Sequence, residues 1–304
     1  ESLPCDVERL RFFGIIKTRS LPYFIIEGLN PEDEEGIDEM KQEGRNGANK
    51  YSYWVTQSPE SGQWIQLPNV TSSQIILARK FKKYLSGSLE SSIASYPPFP
   101  GQEKHYLRTL IAIICGATSI SPAGYFELNE DEDPPTVKLA EQETINETFP
   151  KSASELKEPD AWVHHEIELN VIGRCTALPE QTDENGDVIE PEEPIDVTPP
   201  LKGLESEAWS FRLSPGGAGE HGASLAIARS LQYPGAYAIA AGKRFVNIYM
   251  GYGMVYSPQT YSPPLPSPLQ SEWVPPEGEE ELIEMEDVRI DPTPPKEEGE
   301  EEED

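Results

Sequence analysis

Between residues 95 and 101 the sequence reads Ser-Tyr-Pro-Pro-Phe-Pro-Gly, and no regular element can cross it. Each proline fixes φ at about −65° and removes a backbone N–H, which excludes the run from a helix interior and from a central strand. It reads as a stiff connector that presents Tyr96 and Phe99 at low entropic cost, either along the edge of a core or toward a partner. It carries no nucleophile, base or metal ligand. Proline also limits the rest of the fold. The chain holds 30 prolines in 304 residues, roughly twice the usual share. They cluster with acids at residues 179–200 and in the stretch that follows Tyr256. Such segments bury too little apolar surface to offset the entropy of ordering, so they are expected to be disordered or wrapped loops.

The formal net charge is −30. A protein that neutralises phosphates needs a basic stripe, and only residues 79–83 are locally basic, so nucleic acid and anionic membrane surfaces are disfavoured partners. No apolar run approaches the roughly 18 residues needed to span a bilayer, and no secretory apolar region opens the chain. The first residue is Glu1, not Met, and the sequence is expected to be a piece of a longer protein. Cys5, Cys115 and Cys175 are odd in number and far apart. They form no metal or redox motif, and buried free thiols are the expected state.

Residues 11–17 and 22–28 are aromatic and β-branched and predict a hairpin, and residues 50–56 and 63–67 predict a second strand pair. A helix is expected from a cap at Thr71 or Ser72 to a stop at Gly87, with Gln74, Ala78, Phe81 and Leu85 on one face. Its other face carries Arg79, Lys80, Lys82 and Lys83, either simply solvated or docking an acidic loop. Residues 102–115 predict a second, buried helix that Gly116 ends, and 122–128 a strand. Residues 161–172 are consistent with a strand or a short helix. Residues 208–213 predict a strand, 223–232 a helix, and 236–241 with 245–250 a final hairpin turned at Gly242-Lys243.

Catalytic and metal chemistry is hard to find. His164 and His165 are adjacent, so on a strand they point to opposite faces and do not share a metal; His105 and His221 stand alone. The one Gly-rich loop, residues 216–222, lacks the following Lys and Ser/Thr of a phosphate cradle and carries Glu220 instead. Ser224 lies in a faint echo of a nucleophile elbow that lacks its second Gly. No catalytic, cofactor-binding or metal residue is expected.

Several stretches together resemble one family, the radial spoke head proteins of the 4/6 type. They include Phe12-Phe13-Gly14-Ile15-Ile16, Tyr23-Phe24-Ile25-Ile26-Glu27-Gly28, Gly47-Ala48-Asn49-Lys50-Tyr51-Ser52-Tyr53-Trp54, Trp64-Ile65-Gln66-Leu67-Pro68 and Ala78-Arg79-Lys80-Phe81-Lys82-Lys83. The proline run with Tyr106-Leu107-Arg108, Trp162-Val163-His164-His165, Gly173-Arg174-Cys175, Tyr233-Pro234-Gly235-Ala236-Tyr237 and Tyr249-Met250-Gly251-Tyr252-Gly253 continue the series. Phe13 and Tyr233 stand where the family usually has Trp, and both swaps keep aromatic bulk. The resemblance implies a non-enzymatic component of the axoneme of cilia and flagella. It implies assembly with a radial spoke head protein 9-like subunit, a second 4/6-type subunit and other spoke-head proteins, and transient contact with central pair projections. A generic acidic interaction or chaperone-like protein is the alternative.

The expected architecture is α+β: two small, mainly antiparallel sheets, a few packed helices, long acidic and Pro-rich loops, and an acidic C-terminal tail. The expected division is an N-terminal unit at residues 1–135, a linker at 136–160, a C-terminal unit at 161–260 and a tail at 261–304. A scaffold needs large rigid side chains at its contacts. Trp54, Trp64, Tyr96, Phe99, Trp162, Trp209, Tyr233 and Tyr237 are the candidates for partner contact.

Overall fold

A computed structural model of the chain describes residues 9–29, 37–129, 131, 136–141, 152–179, 181–182, 188–189, 197–215, 224–257 and 269. The N-terminal part contributes β1 (Arg9–Ile16), β2 (Tyr23–Leu29), β3 (Tyr51–Thr56) and β4 (Ile65–Gln66). Then come helices α1 (Ser72–Ala78) and α2 (Glu103–Thr118), followed by β5 (Ile120–Pro122), β6 (Phe126–Asn129), β7 (Thr136–Leu139) and β8 (Trp162–His164). Last are β9 (Gln181–Thr182), β10 (Val188–Ile189), β11 (Trp209–Ser214), β12 (Leu225–Ser230), β13 (Ala236–Ala241) and β14 (Arg244–Gly251). All lie within the compact unit Glu1–Pro264; a second unit comprises Leu265–Asp304, of which Leu269 alone is described. Apart from Leu269, the acidic tail falls outside the described residues, as does the Gly-rich loop at 216–222.

The chain is mostly β, with two α-helices among the described residues, so the α+β expectation holds in its coarse form. The two small sheets are corrected to one open sheet of eight strands, ordered β11-β12-β13-β14-β1-β2-β3-β4, with three two-stranded pairs, β5-β8, β6-β7 and β9-β10, outside it. It consists of two antiparallel meanders, one from each end of the described chain, joined where β14 runs parallel to β1. At that seam Gly14 stands opposite Tyr249, next to a register shift in β1. Its φ is +151°, and a Cβ there would lie 2.0 Å from the Tyr249 carbonyl oxygen. Only glycine permits the two backbones to approach so closely.

The N-terminal meander turns Phe13, Tyr23, Ile25, Tyr53 and Val55 toward Tyr106, Leu107, Leu110, Ile111 and Ile114 of α2, forming the main core. Glu103, at the start of α2, is almost fully buried. Its carboxylate accepts from the Tyr23 hydroxyl at 2.9 Å and from the Ser86 and Gly87 N–H groups at 2.7 and 2.8 Å. An acid in the first turn also suits the helix dipole. The C-terminal meander turns Ala226, Ala228, Ala238 and Ala240 inward beside Trp209 of its own strand β11, beneath Trp162 and Leu156.

Three elements differ from expectation. The helix expected to reach Gly87 stops at Ala78, although its Thr71 capping box forms. The Arg79 guanidinium donates to the Asn170 and Leu169 carbonyls at 2.6 and 2.9 Å. The segment beyond it lays Phe81 on Tyr106, ring centroids 5.2 Å apart. Helix α2 runs through Gly116 to Thr118: a Cβ at Gly116 would sit 3.3 Å from the Leu169 backbone nitrogen, so this glycine admits a neighbouring chain instead of ending the helix. Residues expected as a helix at 223–232 are strand β12. Its buried residues alternate, and pairing on both sides outweighs the helix propensity of alanine.

Candidate interaction surface and interior cavity

The proline run closes over the main core. The Tyr96–Pro97 peptide is cis, the Ser95 hydroxyl donates to the Pro97 carbonyl at 3.0 Å and the Gln74 amide donates to the Pro100 carbonyl at 3.1 Å. Phe99 is turned inward, 7% exposed, with its ring edge-on to Phe81 and Tyr106 at 6.1 and 5.4 Å. Tyr96 is turned outward and is 49% exposed. The run therefore anchors by one aromatic and presents the other.

The structure separates the eight candidate contact aromatics into two groups. Trp54, Phe99, Trp162 and Trp209 are buried by this chain itself. Trp162 donates its indole N–H to the Leu156 carbonyl at 2.9 Å, which draws part of the expected linker into the second core. Trp64, Tyr96, Tyr233 and Tyr237 keep accessible surface. Trp64 precedes the edge strand β4, and Tyr237 lies between Arg229 and Ile248 on the sheet face away from α2. That face continues across the seam through Met250, Ile15 and Phe24, paired in register. Phe12, Val246 and Met250 on it remain 40–46% exposed.

Beneath the sheet lies a cavity of about 230 Å³ between β1–β3, α2 and the segment around Glu166. Four of its charged residues form two ion pairs. Arg11 places two nitrogens 2.7 Å from one Glu27 oxygen, and Lys50 lies 3.2 Å from Glu166. Burial raises the Glu27 pKa while Arg11 pulls it back. The Cys115 thiol, 3.3 Å from the Tyr53 hydroxyl, is pushed up to about 12, mainly by burial. The Cys175 thiol is raised mainly by burial and further by Glu43. Burial, then Arg11 and Lys50, hold the His165 pKa down to about 3. The cavity thus offers protonated thiols, a neutral imidazole and two ion pairs, none of them an activated nucleophile. Among the described residues no three His, Cys, Asp or Glu side chains form a metal-binding group.

The charged residues that organise this interior were not singled out from the sequence. Their signal is a lone charge in an apolar run: Glu27 in Tyr-Phe-Ile-Ile-Glu-Gly and Arg108 in Tyr-Leu-Arg-Thr-Leu-Ile. Arg108 is buried in α2, donates to the Ala48 carbonyl at 2.8 Å and the Asn49 side chain at 3.1 Å, and lies 4.7 Å from the Tyr53 ring centroid. Glu43, also buried, accepts from the N–H groups of Ala48, Cys175 and Thr176 at 3.0, 2.8 and 2.7 Å, joining two distant loops.

A family model described as radial spokehead-like protein matches residues 38–298. Human radial spoke head protein 6 homolog A is 39% identical over 275 residues, covering 83% of this chain and 38% of that protein. Human radial spoke head protein 4 homolog A is 32% identical over 344 residues, covering 94% of this chain and 47% of that protein. Flagellar radial spoke protein 4 of Chlamydomonas reinhardtii is 34% identical over 313 residues, covering 92% and 64%. The chain spans less than two-thirds of the length of each of these relatives.

Proposed function

The chain belongs to the radial spokehead-like protein family, and from that premise we propose that it is a structural scaffold of the radial spoke head. The family is one of the axoneme of cilia and flagella, a cytoskeletal assembly, and this chain is a radial spoke component there. In the proposed role it assembles with a second 4/6-type subunit, a radial spoke head protein 9-like subunit and other spoke-head proteins. It touches central pair projections transiently and helps pass mechanical signals from them to the doublet dyneins, without catalysing a reaction.

The observation that carries this reading is the extent of the family match, residues 38–298, which takes in β3, β4, both helices and the whole C-terminal meander. The site chemistry supports it. Exposed Tyr96 and half-buried Trp64, Tyr233 and Tyr237, with the open sheet face beside Tyr237, supply rigid aromatic area for subunit contact. The interior thiols and histidines are held in unreactive states. The test is salt extraction of motile axonemes followed by affinity capture of the protein and mass spectrometry. Recovery of spoke-head protein 9 in fixed ratio is expected. A protein found in the soluble cytoplasm with no spoke component would overturn the scaffold in favour of a chaperone-like role.

A further inference from the structure

The negative charge of this chain is unevenly placed. Three segments, residues 10–26, 72–89 and 224–257, contain no Asp or Glu and together hold ten Lys and Arg residues, in a chain with 54 acids and 24 Lys plus Arg. The fold brings the three together. The Lys17 N–H donates to the Gly251 carbonyl at 2.8 Å, and the Arg19 N–H to the Leu85 carbonyl at 2.9 Å. The Gln57 amide binds the Leu21 and Gly87 carbonyls at 3.2 and 2.7 Å, tying the first two segments from behind.

Two exposed rings mark the junction. Tyr84 and Tyr252 meet edge to face at 5.4 Å, are 48% and 45% exposed, and Lys17 Nζ lies 5.6 Å from the Tyr252 centroid. Upstream of Tyr84 the chain has left α1. Its exposed side chains alternate as Lys80, Lys82 and Tyr84, while Phe81 and Leu85 turn inward. Lys17, Arg19, Lys80 and Lys82 are all exposed, and none has a carboxylate partner among the described residues. Elsewhere cations are matched, as in Lys50–Glu166 and Lys104–Glu90.

We propose that the surface built from Lys17, Arg19, Lys80, Lys82, Tyr84 and Tyr252 binds an extended, glutamate-rich segment of another polypeptide. The cations supply complementary charge, which steers encounter and fixes register. The two tyrosines supply apolar faces for the methylene stems of the acids at little rotamer cost. The three segments hold no carboxylate of their own to compete. The rest of the chain repels acids, so an acidic strand approaching it has this surface as its favourable landing place. The inference does not depend on which assembly the chain enters.

The test uses the full chain and a fluorescent oligoglutamate peptide, read by anisotropy at low salt, with an oligoglutamine peptide of equal length as control. Saturable binding of oligoglutamate alone is expected, weakening as salt shortens the range of the field. Lys80→Glu with Lys82→Glu should weaken it by about tenfold or more, and Tyr84→Ala by a few-fold, with circular dichroism unchanged. Zero-length carbodiimide cross-linking should join the probe to Lys17, Lys80 or Lys82. Equal binding by the charge-reversed variant overturns the proposal. So does cross-linking of these lysines to the chain's own carboxylates alone, which would make the patch an internal contact.

Discussion

The two meanders have the same topology and fill the space above their inner faces in opposite ways. The N-terminal one presents large side chains, Phe13, Tyr23, Ile25, Tyr53 and Val55, and takes a whole helix as its cover. The C-terminal one presents Ala226, Ala228, Ala238 and Ala240 beside Trp209 of its own strand β11, and takes Trp162 and Leu156 from a short strand and a single turn as its cover. Close packing fixes the sum of the two layers, not either layer alone. A strand of alanines therefore does not signal a weak core. It signals a bulky partner, here the Trp162 indole, that must come within contact of the backbone. The seam between the meanders obeys a harder limit, since at Gly14 two backbones meet with no side chain between them.

The largest effect should come from breaking that seam. In Gly14→Ala the new Cβ falls 2.0 Å from the Tyr249 carbonyl oxygen, and φ is +151°. Backbone must move, and a loss of roughly 4 kcal/mol or more is expected. Urea unfolding followed by tryptophan fluorescence measures it. A variant as stable as the parent would show that the two meanders do not need the parallel β1–β14 contact.

Next come substitutions that treat the two layers as opposites. Leu107→Ala removes a fully buried side chain from under the large-residue meander and should cost about 2–5 kcal/mol through the cavity it leaves. Ala238→Leu adds volume beneath the Trp162 indole and should cost about 1–3 kcal/mol through overpacking. If Ala238→Leu were neutral, the alanine face would have spare room, and the complementarity between its small residues and Trp162 would be disproved.

The same contrast explains what the sequence disclosed. Most strands of the eight-stranded sheet were legible, because residues 11–28, 50–67 and 236–250 alternate or carry β-branched and aromatic runs with clear turns. Strand β12 was misread as a helix because its side chains are small, and alanine's propensity masks a period of two. Gly116 was misread as a stop because glycine looks the same in sequence whether it ends a helix or admits a neighbour. That β14 lies beside β1 is written in no local pattern, since parallel pairing of distant segments leaves no turn. The aromatic candidates were legible as anchors. Which ones face inward depends on the layers above them, and that information is tertiary.

A smaller effect should appear with acid, at the junction between the layers. His165 stacks on Phe126 of β6 at 5.0 Å and packs edge-on to Phe245 of β14 at 5.8 Å. Its folded pKa is held down to about 3, against about 6.5 for a free imidazole. As pH falls below the free value the unfolded chain takes up the proton first. This contribution to stability is therefore complete above about 6.5 and is lost progressively toward pH 3, by up to about 1.4 kcal/mol per pH unit. His165→Phe should flatten the fall in melting temperature between neutral and mildly acidic pH. An unchanged pH profile would mean that the imidazole is hydrated and protonated in the folded protein.

The smallest effect on stability, and the most direct reading of an exposed anchor, belongs to the proline run, where the contrast between inward and outward rings is compressed into four residues. Phe99 packs on Phe81 and Tyr106, whereas Tyr96 keeps about half its surface in solvent. Tyr96→Ala should change folding stability by no more than about 0.5 kcal/mol, as surface changes usually do. If Tyr96 meets a spoke-head subunit, the same substitution should weaken association by about 1–2 kcal/mol, the range of a buried interface aromatic. Co-sedimentation with reconstituted spoke-head subunits, paired with a thermal melt, separates the two. Loss of association with an unchanged melt places Tyr96 in the interface. A lowered melt with association intact would instead mean that the outward ring holds the connector down on its own core, and the contact surface would then have to be sought at Trp64, Tyr233 and Tyr237.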